Sequence, residues 1–294
     1  MKIALPNKGR LADDARELFA DAGLEVRVRG ERALTASLGG EFEAIFVRAQ
    51  DIPEFVADGA ADAGVTGWDL VSEAERALDV LLDLEFGRCR IVVAAKDDSG
   101  VDTLDGVADG ARVATVFPRV TRAFFERARR RVEVVPVSGA VEVAPHLGIA
   151  DVIVDITSTG STLKVNGLRE IATVLESSAR LVVAPGAARM AGSAKGVALD
   201  ELVAALASVL RARGKRYLMA NVPRTALARV KEVVPGLNGP TVIDILNGDG
   251  DPHASRLVAV HAVVPANAIY RTIAQLKALG GEGILVTRIE RLMP

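Results

Sequence analysis

Short apolar runs rich in Val, Ile and Ala alternate along the first part of the chain with segments whose apolar residues recur at helical spacing. Such alternation is typical of strands followed by crossover helices, so it predicts a mostly parallel sheet with helices on both faces. The predicted strand and helix pairs are 2–5 with 11–22, 44–47 with 51–58, and 63–66 with 69–75.

A second series of the same kind begins near Arg90. Two further strands, near 171–175 and 181–184, are expected to carry the chain back to the first sheet. The predicted fold class is therefore α/β, with two periplasmic-binding-protein-like lobes and a ligand-binding cleft between them. The second series has predicted strands at 90–95, 112–116, 132–137 and 152–154, and helices at 119–131 and 141–147.

The pattern changes after a long amphipathic helix predicted at 198–213. The order of elements beyond it is βαββαβ, which is the ferredoxin-like unit and can form a core of its own. We expect lobe I at 1–89 and 176–213, lobe II at 90–175, and a C-terminal domain at 214–294. The last domain has predicted strands at 216–222, 241–246, 256–264 and 284–290, helices at 223–234 and 265–279, and a turn at 247–252.

Composition and charge narrow the classes of partner. With 294 residues, 50% of them hydrophobic and 25% charged, the chain has the size and balance of two or three soluble domains. A formal net charge of −2 predicts no general attraction to nucleic acid or membranes, so a site for polyanions needs a local cluster of Lys and Arg. The short apolar start cannot form a signal peptide, and no apolar run reaches the roughly 18 residues of a membrane span. The cytoplasm is the expected compartment.

The single cysteine and the histidines offer little chemistry. Cys89 excludes an internal disulfide, and its place in an apolar run predicted as a strand at 86–95 indicates a buried, inert thiol. His146, His253 and His261 lack the spacing of metal ligands. Neither a closed zinc site nor a Ser/His/Asp set is expected.

A run of hydroxyl residues follows the predicted strand at 152–154. Asp155 ends that strand, a helix is predicted at 163–168, and Gly160 lets the backbone approach a ligand closely. Amides at a helix start, assisted by hydroxyl groups, bind phosphate. On composition alone, a β-turn with a helix cap explains the segment equally well. The candidate ligand-binding residues are Thr157, Ser158, Thr159, Gly160, Ser161, Thr162 and Leu163.

This segment resembles the phosphoribosyl pyrophosphate loop of phosphoribosyltransferases. The common members of that superfamily have two adjacent acids before the Thr-Gly, whereas here Ile156 follows Asp155. The single acid, with Asn166, Gly167 and Leu168 further on, resembles ATP phosphoribosyltransferases instead. Other segments similar to that family are 5–10, 64–69, 86–90, 138–145 and 216–219, so the resemblance spans the chain and favours the long, self-regulated form.

The resemblance implies that N1 of ATP attacks the anomeric carbon of phosphoribosyl pyrophosphate and that pyrophosphate leaves. It implies catalytic roles for Lys8 and Arg10, which follow strand one in a loop kept open by Gly9, and for Asp155. From the residues alone, each cation is a solvated surface charge. The position of the cations at strand ends and the resemblance reverse that interpretation.

Further substrate contacts are implied for Arg48, Asp69 and Glu142, and Mg²⁺ is expected to be held by Asp155 and Glu142 together with substrate oxygens. Without the resemblance, Asp69 is a helix cap and Glu142 a helix-surface residue. The role of Arg90 stays open.

The resemblance also implies that the C-terminal domain binds histidine as an inhibitor, and that the chain forms active dimers and inhibited hexamers. Asn221, expected at the end of a strand, and Thr241, expected to open one, are the candidate histidine ligands, with plain alternatives as a turn residue and a strand residue. A rival interpretation is a two-lobed solute-binding protein with an amino-acid-sensing domain and no catalysis. The pattern of lobes supports it equally, but the missing export signal and the Ser/Thr-Gly loop with its upstream cations argue against it.

Overall fold

The computed structural model describes residues 1–27, 33–187, 192–245 and 256–293. The chain divides into two compact units, Met1–Leu206 and Ala207–Pro294. The division falls within a long helix, Ala194–Ala212. Within the described ranges, no helix is long and apolar enough to cross a membrane.

Six strands form the first sheet of the N-terminal unit. They are β1 (Lys2–Pro6), β2 (Thr35–Gly39), β3 (Phe42–Val47), β4 (Ala63–Gly67), β5 (Asp79–Asp83) and β11 (Ala179–Val183). Their order across the sheet is β2-β3-β1-β4-β11-β5, and only β3, β1 and β4 run parallel to one another. The helices of this part are α1 (Ala12–Asp21), α2 (Ile52–Ala57) and α3 (Trp68–Ala74).

Five strands form the second sheet. They are β6 (Cys89–Lys96), β7 (Ala111–Thr115), β8 (Val132–Pro136), β9 (Val152–Thr157) and β10 (Leu168–Ser177), in the order β10-β6-β9-β7-β8. Its helices are α4 (Pro118–Arg127) and α5 (Ser161–Val165). Alternate residues of β6 face two separate apolar clusters, so this strand is buried on both faces, as its unbroken apolar run indicates.

The prediction of a mostly parallel sheet is wrong. Each of the two sheets described above contains two parallel pairs of strands, and the remaining pairs are antiparallel. The reason is the path of the chain. It passes from β5 in the first sheet to β6 in the second, and it returns as β11, which pairs antiparallel with β4. Both predicted strands exist, as β10 and β11, but only β11 lies in the first sheet, because β10 pairs with β6 in the second.

Three local predictions also need correction. The helix predicted at 141–147 is only a short 3-10 turn, Val141–Val143, which follows a left-handed Ala140 and precedes Pro145. The strand predicted from residue 86 begins at Cys89, because Gly87 has a φ of 62° and interrupts the extended backbone. β2 and β5 were not predicted.

The C-terminal unit is a ferredoxin-like domain, as predicted. Its strands β12 (Lys215–Pro223), β13 (Thr241–Asp244), β14 (Leu257–Pro265) and β15 (Glu282–Arg288) pair antiparallel in the order β13-β14-β12-β15. α7 (Leu227–Val233) and α8 (Ile269–Ala278) begin later than predicted, because a 3-10 turn follows each of Pro223 and Pro265. α6 (Ala194–Ala212) precedes β12. The last predicted residue of the strand at 241–246 and the turn at 247–252 lie outside the described residues.

Candidate active site

Three cations lie at the carboxyl edge of the first sheet. β1 and β3 are parallel neighbours that end together, with Pro6 opposite Val47 and the Asn7 amide donating to the Val47 carbonyl at 2.8 Å. Lys8 and Arg10 follow β1, Arg48 follows β3, and all three are exposed. The parallel register therefore brings together residues that are far apart in sequence, as the strand-end argument predicted.

Arg10 is the cation whose position is fixed most closely. Its guanidinium donates to the Gly87 carbonyl and lies 3.6 Å from Oδ2 of Asp69. The Arg10 side chain nevertheless remains 35% exposed, so part of its cationic surface faces solvent. For Lys8 and Arg48, no ion pair is found among the described residues.

Asp69 lies at the turn from β4 to α3, as the sequence interpretation placed it, but its side chain is buried. Its side chain is 2% exposed in the first turn of α3, and its two carboxylate oxygens face Ser177 and Arg10. A Cβ atom on Gly67 would collide with Oδ1 of Asp69, which explains the glycine at the start of this helix. The buried carboxylate contacts Arg10 and Ser177, and the expected contact of Asp69 with a substrate stays a prediction.

Cys89 lies beside this cluster and is confirmed as buried. Burial and the Asp69 carboxylate raise the pKa of the Cys89 thiol, although Arg10 and Ser177 act in the opposite direction. A thiol held protonated in this way is a poor nucleophile, as the sequence suggested.

The hydroxyl run forms a tight turn between β9 and α5. Gly160 adopts a φ of 76°, and its amide donates to Oγ1 of Thr157 at 2.8 Å. The hydroxyls of Thr159 and Ser161 lie 2.9 Å apart. Ser158, Thr159, Ser161 and Thr162 are exposed, and the amides that open a helix lack partners within it. The turn therefore presents exposed hydroxyls, whereas the Gly160 and Ser161 amides already donate to the hydroxyls of Thr157 and Thr159.

Two members of the predicted set support the turn from inside. Thr157 is 8% exposed and uses its hydroxyl to accept from Gly160. Leu163 is 4% exposed and packs in the apolar cluster beneath the second sheet, with Val92 and Ile153. Of Leu163, only the backbone amide can reach a ligand at this turn.

Asp155 lies within β9 and not at its end, because the strand continues to Thr157. Burial, together with the nearby charge of Glu142, raises the pKa of the Asp155 carboxyl to about 6, although the Ile156 amide, which donates to it at 2.7 Å, acts in the opposite direction. Glu142, half-buried, is in the 3-10 turn at Val141–Val143. These two neighbouring carboxylates provide oxygen donors of the kind that Mg²⁺ prefers.

A cavity of about 380 Å³ lies beside the Ser/Thr turn and reaches the junction of β10 with β11. Its lining includes Ser158 and three arginines, Arg88, Arg90 and Arg180, of which sequence reasoning considered only Arg90. Arg90 pairs with Glu170, and Arg180 pairs with Asp83. Because these carboxylates offset two of the cations, the cavity does not by itself identify an anion site.

The two histidines that the structure describes have partners other than a metal ion. His146 bonds the Asn166 carbonyl at 2.8 Å, His261 contacts Tyr217, and His253 lies outside the described residues. Among the residues that the structure describes, no group of three or more His, Cys, Asp or Glu side chains is arranged to hold a metal ion.

The two candidate histidine ligands lie on one face of the C-terminal sheet. Asn221 is two residues before the end of β12 and pairs with Ala259, whereas Thr241 opens β13 and pairs with His261. Paired residues share a face, so Asn221, His261 and Thr241 point away from the apolar cluster that α7 and α8 cover. β14 separates Asn221 from Thr241.

Comparison with known proteins places these features in one family. Residues 48–208 match the family described as "ATP phosphoribosyltransferase", and residues 212–291 match "HisG, C-terminal domain". The ATP phosphoribosyltransferase of Gemmatimonas aurantiaca is 70% identical over 297 residues, covering 100% of both chains. That of Natronomonas pharaonis is 48% identical, again over 100% of both chains.

Among solved structures, the "ATP phosphoribosyl transferase (HisG:HisZ) complex from Thermotoga maritima" is similar to this chain. The TM-score is 0.60 at 29% identity, and the match covers 70% of this chain and 98% of that one. That coverage leaves out part of this chain, whereas the two curated relatives match its full length.

Proposed function

This chain belongs to the ATP phosphoribosyltransferase family, and we propose that its Ser/Thr turn and its strand-end cations divide the work of that reaction between them. The enzyme transfers the 5-phosphoribosyl group of phosphoribosyl pyrophosphate to N1 of ATP, giving phosphoribosyl-ATP and pyrophosphate in the first step of histidine biosynthesis. The observation that carries the residue assignment is the meeting of Lys8, Arg10 and Arg48 at one sheet edge.

The turn at 157–163 receives the 5′-phosphate and ribose of the phosphoribosyl substrate. The exposed hydroxyls of Ser158, Thr159, Ser161 and Thr162 are the donors in this assignment. Thr157 and Leu163 keep the turn in shape from below. Phosphate binding of this kind is supported by the left-handed Gly160, whose bare backbone leaves room for a close approach.

The strand-end cations act on the triphosphate and the leaving pyrophosphate. As N1 forms its bond to the anomeric carbon, the bond from that carbon to the pyrophosphate oxygen breaks, and the electron pair leaves with pyrophosphate. Negative charge therefore develops on the leaving group, where Lys8 and Arg10 stabilise the transition state more than the ground state. Arg48 contributes to binding the triphosphate of ATP. The in-line positions of the two substrates supply the rest of the rate gain.

Mg²⁺ is the proposed metal, and Asp155 with Glu142 would hold it. Two carboxylates and substrate oxygens form the kind of site in which Mg²⁺ usually acts with phosphate substrates. When bound, the ion neutralises charge on pyrophosphate. Asp155 also lies just before the turn, which supports a contact of its carboxylate with the ribose hydroxyls in this proposal.

Control by histidine belongs to the C-terminal domain in this proposal. Asn221 and Thr241 are its candidate ligands, and His261 and Tyr217 share their face of the sheet. Inhibition requires histidine to favour one state of the enzyme over another, and active dimers with inhibited hexamers are the proposed states. The proposed compartment is the cytoplasm.

One assay separates catalysis from the rival binding-protein interpretation, which the family membership already disfavours. Purified chain mixed with ATP, phosphoribosyl pyrophosphate and Mg²⁺ is expected to release pyrophosphate only when both substrates are present. A protein that merely binds either substrate would release none, and that result would overturn the proposal.

A further inference from the structure

Ser177 lies where the chain passes from the second sheet to the first. It is the last residue of β10, opposite Cys89, and Ser178 alone separates it from β11. Ser177 is 6% exposed. The same junction is tied to the start of α3, since the Trp68 amide donates to the Ser178 carbonyl at 3.0 Å.

The Ser177 hydroxyl makes two hydrogen bonds with one residue, Asp69. It donates to Oδ1 of Asp69 at 2.6 Å and accepts from the Asp69 amide at 2.9 Å. Because both the backbone and the carboxylate of Asp69 are bound to the same oxygen, the carboxylate is fixed in orientation. The missing Cβ of Gly67 leaves the space that this orientation needs.

The orientation of Asp69 in turn fixes Arg10. Oδ1 is taken by Ser177, so Oδ2 is left to face the guanidinium of Arg10 at 3.6 Å. The Gly87 carbonyl accepts from the same guanidinium. Arg10 is thus held between two acceptors, and one of them depends on the Ser177 hydroxyl.

We propose that Ser177 is a positioning residue for phosphoribosyl transfer, holding Asp69 so that Arg10 is fixed at the sheet edge where pyrophosphate leaves. This inference rests on the proposed role of Arg10. Ser177 borders the arginine-lined cavity. Because its hydroxyl hydrogen is donated to Asp69, Ser177 acts through Arg10 and does not itself bind the substrate. Its place at the junction also links the position of a first-sheet cation to the strand that leaves the second sheet.

Ser178 provides a matched control. It is the adjacent residue, also a serine, 5% exposed, and its hydroxyl likewise donates to an aspartate, Asp83, at 2.9 Å. Asp83 pairs with Arg180 and not with Arg10. A general disturbance of the junction would affect both serine variants, whereas loss of Arg10 positioning affects only one.

The test is a double-mutant cycle in the full chain, with kcat, KM and the unfolding temperature measured for each variant. Ser177→Ala is expected to lower kcat by about 10- to 100-fold with little change in either KM, as a displaced catalytic group does. In an Arg10→Ala background, the same change is expected to lower kcat no further. Ser178→Ala is expected to turn over like the unaltered chain.

Four results would overturn the inference. They are an unaltered kcat in Ser177→Ala, an equal loss of kcat in both backgrounds, an equal loss in Ser178→Ala, and a fall in unfolding temperature without a fall in kcat. An Arg10→Ala variant with full turnover would overturn the role of Arg10 as well, which separates failure of the proposed function from failure of this inference. If Ser177→Ala does not fold, Ser177→Cys keeps a weaker donor at the position; it is assayed in a reducing buffer because Cys89 lies opposite, and the same outcomes apply.

Discussion

The guanidinium of Arg10 lies 3.6 Å from the carboxylate of Asp69, a side chain that is 2% exposed. A buried carboxylate that loses its cation is destabilised, whereas an exposed lysine that is removed leaves nothing behind it unpaired. The two cations that we propose to be catalytic, Arg10 and Lys8, therefore differ in what their loss does to the fold.

Arg10→Ala is expected to lower both turnover and stability. Loss of the pair at Asp69 should reduce the free energy of unfolding by about 1–3 kcal/mol. Lys8→Ala, at an exposed position, is expected to lower kcat while leaving the unfolding temperature unchanged. Steady-state kinetics with both substrates and thermal unfolding measure these effects. Full turnover in either variant would show that the replaced residue does not stabilise the transition state.

The exposed threonines of the turn give a second prediction. Replacing both Thr159 and Thr162 by Val keeps their size and removes two hydroxyl donors, which is expected to weaken binding of phosphoribosyl pyrophosphate by about 1–3 kcal/mol. Calorimetric titration of the free enzyme measures that affinity directly. The matched control is the double Thr→Ser variant, which keeps the hydroxyls. Equal affinity in the Val and Ser variants would show that the hydroxyls do not contact the phosphate.

The element types could largely be predicted because strand and helix periodicities are local properties of the sequence. The direction of strand pairing could not be predicted, since it depends on which sheet β6, β10 and β11 each join. The site shows the same limit. Gly160 and the hydroxyl run were visible locally, but the role of Asp69 depends on Ser177, 108 residues away, which no pattern near either residue indicates.

Asp155 should make stability depend on pH. Burial and Glu142 raise the pKa of its carboxyl from the ordinary 3.8 to about 6, so the folded chain binds this proton more tightly than the unfolded chain does. The resulting stabilisation is complete at low pH and is lost as pH rises through 6.

Asp155→Asn removes that titration. In a chelator-containing buffer at about pH 7.5, the variant is expected to exceed the unaltered chain in unfolding free energy by about 1–2 kcal/mol, a value reduced for partial solvent access. The advantage should shrink below about pH 6, where the unaltered chain gains its proton. Denaturant unfolding across this pH range measures the difference. A gap that does not change with pH would contradict the raised pKa, and transferase activity retained by the variant would remove Asp155 from the reaction.

Histidine control is tested in the C-terminal domain. Asn221→Ala and Thr241→Ala are each expected to weaken histidine inhibition by about 1–3 kcal/mol while leaving uninhibited turnover unchanged. A chain ending at Arg213 is expected to lose histidine sensitivity altogether. Inhibition curves with histidine as the variable measure both effects. Full histidine potency in the truncated chain would place the regulatory site in the N-terminal unit.

The most direct test of the central claim is to identify the product and count the pyrophosphate released with it. The chain is incubated with ATP, phosphoribosyl pyrophosphate and Mg²⁺, and two-dimensional NMR of the purified product locates the new bond. The expected result is one pyrophosphate per adduct, with the anomeric carbon of the ribosyl group joined to N1 of adenine. Pyrophosphate released without an adduct, or an adduct joined at any other atom of ATP, would contradict it.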